Sequence, residues 1–219
     1  MMNVDPDGAS FWSVIGGIFK FLGGLALAVI GAAVTLASIV LSMAPGSGML
    51  TQIGFPIMMY GGFVLASVFD SQINADMEAI GWNPFSSNAL QLIDNNTHRT
   101  RKVSFYQGVP VFFIDNMGGS MSLGGIFFDV DHTSDILKHE RGHSTQLFRM
   151  GLMQYLIQIG IPSSWKNDDD TPWELSASIF GGSSIANNYL AEQKRAKIYF
   201  ALARIPIINI STIIWYLVY

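Results

Sequence analysis

The sequence predicts an α+β domain preceded by a hydrophobic helical hairpin, and three observations carry that reading. No Asp, Glu, Lys or Arg occurs between Lys20 and Asp70, short β-branched and aromatic runs follow between Val103 and Val130, and a well-delimited helical stretch then spans Thr133 to Gly151. The 219-residue chain is 50% hydrophobic and 13% charged, against about 25% charged in an average domain. Apolar surface on that scale must be buried in a core, a membrane or both. Cysteine is absent, which removes disulfides, thiol catalysis and sulfur-ligated metals. A net charge of −4 offers no electrostatic footprint for nucleic acid, so none is expected as a partner.

A short leader occupies residues 1–10, and the hairpin residues 11–72. Within it, Phe21 to Met43 exceeds the roughly 20 residues that cross a bilayer. Pro45-Gly46-Ser47-Gly48 reads as a turn, and Met49 to Phe69 forms a second apolar run. Gly24, Ala28 and Ala32 recur at i, i+4, i+8, and Gly17, Gly24 and Gly31 every seven residues, which suits close helix contact in lipid. Asp5 and Asp7 upstream, with Lys20 the sole basic residue, argue against a cleaved signal peptide. Membrane association is the expectation, with a buried soluble hairpin as the alternative; a single Lys20 gives no reading of orientation.

A polar connector through Trp82-Asn83-Pro84 and Asp94-Asn95-Asn96 opens the second domain, residues 75–200. Val103–Tyr106, Val109–Ile114 and Gly125–Val130 are separated by Gln107-Gly108 and a glycine-rich loop, which predicts a small antiparallel sheet of three strands. Thr133 or Ser134 offers an N-cap, Asp135 sits in the first turn, and Arg149 with Gly151 closes a helix of about four turns. A further helix starts at Pro172 after Asp168-Asp169-Asp170. Residues 201–219 form an apolar tail, shorter than a membrane span.

On the long helix, His139-Glu140-Arg141-Gly142-His143 fits HExxH. Residues i and i+4 share a helix face, so both imidazoles can reach one tetrahedral Zn²⁺ while Glu140 stands close enough to take a proton from water. Zinc lowers the pKa of bound water to about 7, making it a nucleophile near neutral pH. With only four His and four Glu in the chain, a chance match arises in roughly one shuffled sequence per thousand. A catalytic site needs a third protein ligand. Gln146 and Arg149 occupy the places where a metzincin carries Gly and a third His, so that solution is excluded. Of the two downstream glutamates, Glu174, in the first turn after Pro172-Trp173, is the better candidate than Glu192. Asp168, Asp169 and Asp170 read as a solvated loop, and His98 and His132 as surface residues, either of which could donate to a transition state. Gln146, one turn after His143, could orient a ligand or cap the face. Arg99, Arg101 and Lys102, like Lys194, Arg195 and Lys197, read as solvated faces, the second cluster also able to meet headgroups. Asp135, Lys138, Arg141 and Arg149 make the motif helix too costly for hydrocarbon, which places the site in the soluble half.

Ser104-Phe105-Tyr106-Gln107-Gly108-Val109-Pro110-Val111, Ile126-Phe127-Phe128, the HExxH with Gln146, Gly160-Ile161-Pro162-Ser163, and Pro172-Trp173-Glu174 through Gly181-Gly182 together resemble a zincin-like metallopeptidase domain. Such domains stand at the C-terminal ends of bacterial RHS-repeat proteins of the polymorphic-toxin type. The opening Asn3-Val4-Asp5-Pro6-Asp7-Gly8 resembles the close of the RHS-associated core, so the likeness covers nearly the whole chain. The resemblance implies zinc held by His139, His143 and Glu174, with Glu140 catalytic. It also implies a peptide or protein substrate, export as part of a toxin, and a cognate immunity protein. One departure stands out: the family's Trp-Glu helix continues to an Asp four residues after the Glu, and here that place is Ser178, which can hydrogen-bond but supplies no charge. The expected function is zinc-dependent peptide-bond hydrolysis. The alternative is a membrane-inserting translocation or pore-type module with a vestigial zinc site.

Overall fold

The charge-free stretch folds as two antiparallel helices, α1 (Ala9–Val40) and α2 (Ser47–Ala66), whose small residues let the backbones touch. Gly24 lies against Gly61 and Leu65, and Gly31 against Gly54 and Met58; a Cβ on any of these four glycines would collide with the facing backbone. The seven-residue spacing read from α1 is thus the contact seam, with a matching pair on α2, while Gly17 meets nothing across it. This computed structural model describes residues 9–41, 47–166 and 168–204. The leader's Asn3–Gly8, Pro45-Gly46 of the expected turn and the tail from Ile205 lie outside them.

The chain is α+β, with a small mixed sheet of four strands. α3 (Ser71–Ala79) starts where the Asp70 carboxylate accepts from the N–H groups of Gln72 and Ile73. Its buried Asp76 accepts from the backbone of Lys102 at 2.7 Å and of Val103 at 3.2 Å and pairs with Arg101 at 3.0 Å, tying α3 to the sheet. After α4 (Asn88–Asp94) come β1 (Val103–Tyr106), β2 (Val109–Ile114), β3 (Met121–Ser122) and β4 (Ile126–Asp129), in the order β1-β2-β4-β3. β1 and β2 pair antiparallel as expected, but β4 runs parallel to β2 and β3 antiparallel to β4. The glycine-rich segment between β2 and β4 is therefore more than a loop. It reverses at Gly118 and Gly124, both in the left-handed region at φ +75° and +85°. That detour contributes β3 and returns the chain beside β2 in the same direction.

Alternation along the strands gives the sheet two apolar faces. Val111, Ile126 and Phe128 pack on Leu137 and Leu147 of α5 (Ser134–Met150). On the other face Val103 and Phe105 pack on Met77 and on Phe63 of α2, whose ring meets those of Phe105 and Phe112 edge-on at 5.6 and 4.8 Å. The hairpin thus lies along the sheet, with Phe55 beneath Gly124 and Gly48 against the end of α5. A composition boundary near residue 70 separates two kinds of sequence, yet α2 completes the core of the second. Beyond α5 the chain continues as α6 (Leu152–Tyr155), a π-turn (Leu156–Gly160) and α7 (Ile161–Trp165), followed by α8 (Pro172–Gly181) and α9 (Gln193–Ala203).

Candidate metal centre

α5 and α8 cross at backbone contact, and glycine permits it. A Cβ on Gly142 would collide with the Ala177 carbonyl, and one on Gly181 with the Lys138 carbonyl. That approach sets Glu174, in the first turn of α8, opposite His139 and His143. His139 Nε2 lies 3.1 Å and His143 Nε2 3.0 Å from Glu174 Oε2, and the two Nε2 atoms are 3.1 Å apart. All three side chains are buried, and they form the one such group able to hold a metal ion among the described residues.

The far side of each imidazole is also held. His143 Nδ1 donates to Gln146 Oε1 at 2.8 Å, and the Gln146 amide is oriented by donating to the Trp173 carbonyl at 2.8 Å and to Ser176 Oγ at 2.7 Å. Because an amide oxygen only accepts, Nδ1 must carry the proton and Nε2 a lone pair aimed at the cluster. His139 Nδ1 meets Ser178 Oγ at 2.7 Å, so Ser178 stands on the side of the imidazole away from Glu174.

Two imidazole nitrogens and a carboxylate oxygen, each 3.0 to 3.1 Å from the other two, suit a shared cation. A tetrahedral ion bonded at about 2.0–2.1 Å sets its ligand atoms about 3.3 Å apart, so the residues fit such an ion with small adjustment. Without a metal a proton serves: burial disfavours a charge on His143, but Glu174 outweighs it and pushes the imidazole up to about 9. Burial likewise raises Glu174, and the facing His143 and the hydrogen bonds from both histidines overcome it, holding the carboxyl well below its ordinary range. Glu140 is not a member of the cluster. It is buried, one carboxylate oxygen has no hydrogen-bond partner, and burial pushes its pKa up against the pull of His143 and His139.

The cluster forms part of the wall of a cavity of about 670 Å³ that β3, the π-turn and α7 also line. Ser122 of β3 is bonded through Oγ to Ser144 Oγ of α5 at 2.6 Å, which ties the sheet edge to the motif helix. His132 lines the same cavity with Nδ1 2.8 Å from Ser120 Oγ, so it is a wall residue and not only a surface one. Asp169 reaches the wall too, but neither it nor Asp168, Asp170 or Glu192 joins the cluster. The expectation for His98 fails: it is buried, with Nε2 2.8 Å from the Val130 carbonyl, and it fastens the loop before β1 to the end of β4. Arg99 pairs with Asp131 at 2.7 Å, and Lys102 with Asp70. Sequence reasoning missed Tyr155, whose buried ring lines the cavity and whose hydroxyl reaches the Ser122 carbonyl at 3.3 Å; no spacing rule marks it.

Fold and site together define an α+β protein with a buried His-His-Glu group able to hold a metal ion. Comparison with protein-family models, with curated proteins and with solved structures finds no match to this chain.

Proposed function

We propose that the chain is a zinc-dependent metallopeptidase of zincin-like fold, with His139, His143 and Glu174 as metal ligands and Glu140 as general base. One observation carries this reading: two imidazole nitrogens and a carboxylate oxygen 3.0 to 3.1 Å apart share a cavity wall with a buried carboxylate that keeps an unpartnered oxygen. Two imidazoles and one carboxylate are a donor set suited to catalytic zinc. Bound there, zinc supplies Lewis acidity and brings water to a pKa of about 7.

Glu140 takes a proton from the attacking water as the water oxygen bonds to the peptide carbonyl carbon, and delivers it to the nitrogen as the C–N bond breaks. Its raised pKa favours both steps, since a base poised nearer neutrality also serves as the acid. β3 is an edge strand of the sheet and lines the cavity, so an extended polypeptide can lie along it as an added strand. To His132, which lines the same cavity, we assign donation to the developing oxyanion.

α1 and α2 offer stretches of 25 and 19 residues long and apolar enough to cross a membrane, and α1 is little covered by the rest of the chain. That supports membrane association. The effector role, export with a toxin and an immunity protein as partner rest on the resemblance alone. The test is metal content and cleavage of an unfolded protein chain by the full-length protein. We expect about one zinc per chain, loss of cleavage on chelation and recovery with zinc. Leakage of vesicles unaffected by chelator, with no cleavage, would favour the membrane-inserting alternative.

A further inference from the structure

The segment from α6 through the π-turn to α7 is apolar on both sides, with Tyr155 and Ile159 buried in the core beneath it. Gln154 and Gln158 are buried against α9, where the Gln154 side-chain amide donates to the Ala203 carbonyl at 2.6 Å and the Gln158 backbone carbonyl accepts from the Tyr199 hydroxyl at 2.6 Å. Met153, Ile157, Ile161 and Trp165 face outward, exposed to 40, 43, 46 and 77%. Their four-residue spacing keeps them on one stripe. No charged residue falls between Arg149 and Lys166, a length too short to span a bilayer but suited to lying in its surface.

The geometry points to this stripe as a lipid-contact surface that sets the mouth of the cavity at headgroup level. The inference rests on the membrane reading of the hairpin and goes beyond it. Continuity argues for lipid as the occupant: α6 touches α1, a helix that itself exposes apolar side chains such as Val29 and Leu36. The stripe ends in Trp165 and Lys166, an aromatic and a cation of the kind that sit at the bilayer interface. Ile161 of the stripe also lines the cavity, beside Leu156, so the stripe and the cavity wall share a side chain. A polypeptide emerging from the bilayer would meet the cavity directly.

The absence of cysteine makes the test clean. Single cysteines replacing Met153, Ile157, Ile161, Trp165 and, at the rim, Leu123 carry an environment-sensitive fluorophore in the full-length protein; Val29→Cys reports the hairpin and Asn95→Cys an exposed site elsewhere. The probes are phosphatidylcholine vesicles with and without nitroxide-labelled lipid. The expected result is a blue shift with vesicles and quenching by the nitroxide at the stripe and rim positions, comparable to Val29, with Asn95 unchanged. Quenching at Val29 alone overturns the proposal and leaves hairpin association standing. Quenching nowhere overturns both. Shielding without vesicles overturns it in favour of protein cover, by a second copy or, when truncation after Arg204 removes the shielding, by residues 205–219.

Discussion

Glu140 and Ser178 test the centre from two sides, because neither is a ligand. Glu140→Gln should retain zinc while cleavage falls by about 10²–10⁴, since an amide cannot accept the proton; metal analysis beside a cleavage assay decides it, and an active variant would remove Glu140 from the mechanism. Ser178→Asp should tighten zinc and Ser178→Ala loosen it, each within the range of about 10 to 100-fold that partners of ligating histidines command. The reason is the bond to His139 Nδ1: a carboxylate there makes the imidazole a stronger donor to metal. Competition titration against a chelator measures it, and weaker binding by the Asp variant would sink the argument. His143 sets a pH dependence. In the metal-free protein its pKa is raised from 6.5 to about 9, so its stabilising contribution is full below 6.5 and is lost as pH rises through 9. Glu174 is lowered from 4.5, so its contribution is present above that value and is lost as pH falls through the folded pKa. The metal-free fold should therefore be most stable between roughly pH 4.5 and 6.5 as far as this pair governs it. Zinc must displace the His143 proton, so at pH 7.5 binding should release about one proton per ion. Calorimetry in buffers of different ionisation enthalpy reads that number, and a value near zero would contradict the shift.

Helix against helix, the centre depends on how closely α5 and α8 approach. HExxH places two imidazoles on α5, but the Glu174 carboxylate joins them only because Gly142 and Gly181 bring the backbones into contact. Gly142→Ala should force α8 outward, at a cost of about 1–3 kcal/mol, and carry Glu174 away from the histidines. Zinc affinity should fall while far-ultraviolet circular dichroism stays close to the parent; unchanged affinity would show that α8 can adjust without moving Glu174.

Taken whole, the molecule does not divide where its composition does. Lys20 is the one charge in α1 and α2 and the rest resembles a soluble domain, yet Phe63 of α2 is 3% exposed in a cluster with Met77, Val103 and Phe105. Phe63→Ala should cost about 3–5 kcal/mol, and deletion of residues 1–70 should lower the unfolding temperature of what remains, because one face of the sheet loses its cover. A deletion protein that unfolds at the parent's temperature would restore the hairpin to the role of a separable anchor.

Local pattern alone was enough for much of this. The apolar hairpin, its glycine seam, the motif helix with its cap-region signals, the β1–β2 hairpin and the grouping of His139 and His143 with Glu174 were all legible, because periodicity and scarcity are properties of the chain itself. The parallel pairing of β4 with β2 was not, since strand direction depends on the path of the intervening loop. His98 looked solvated in sequence and is buried, because a polar neighbourhood along the chain says nothing about which carbonyl lies across a gap. The outward-facing Met153 to Trp165 stripe was equally hidden: an apolar run announces burial, but the face that α9 covers and the face left open are settled only when the chain has folded back on itself.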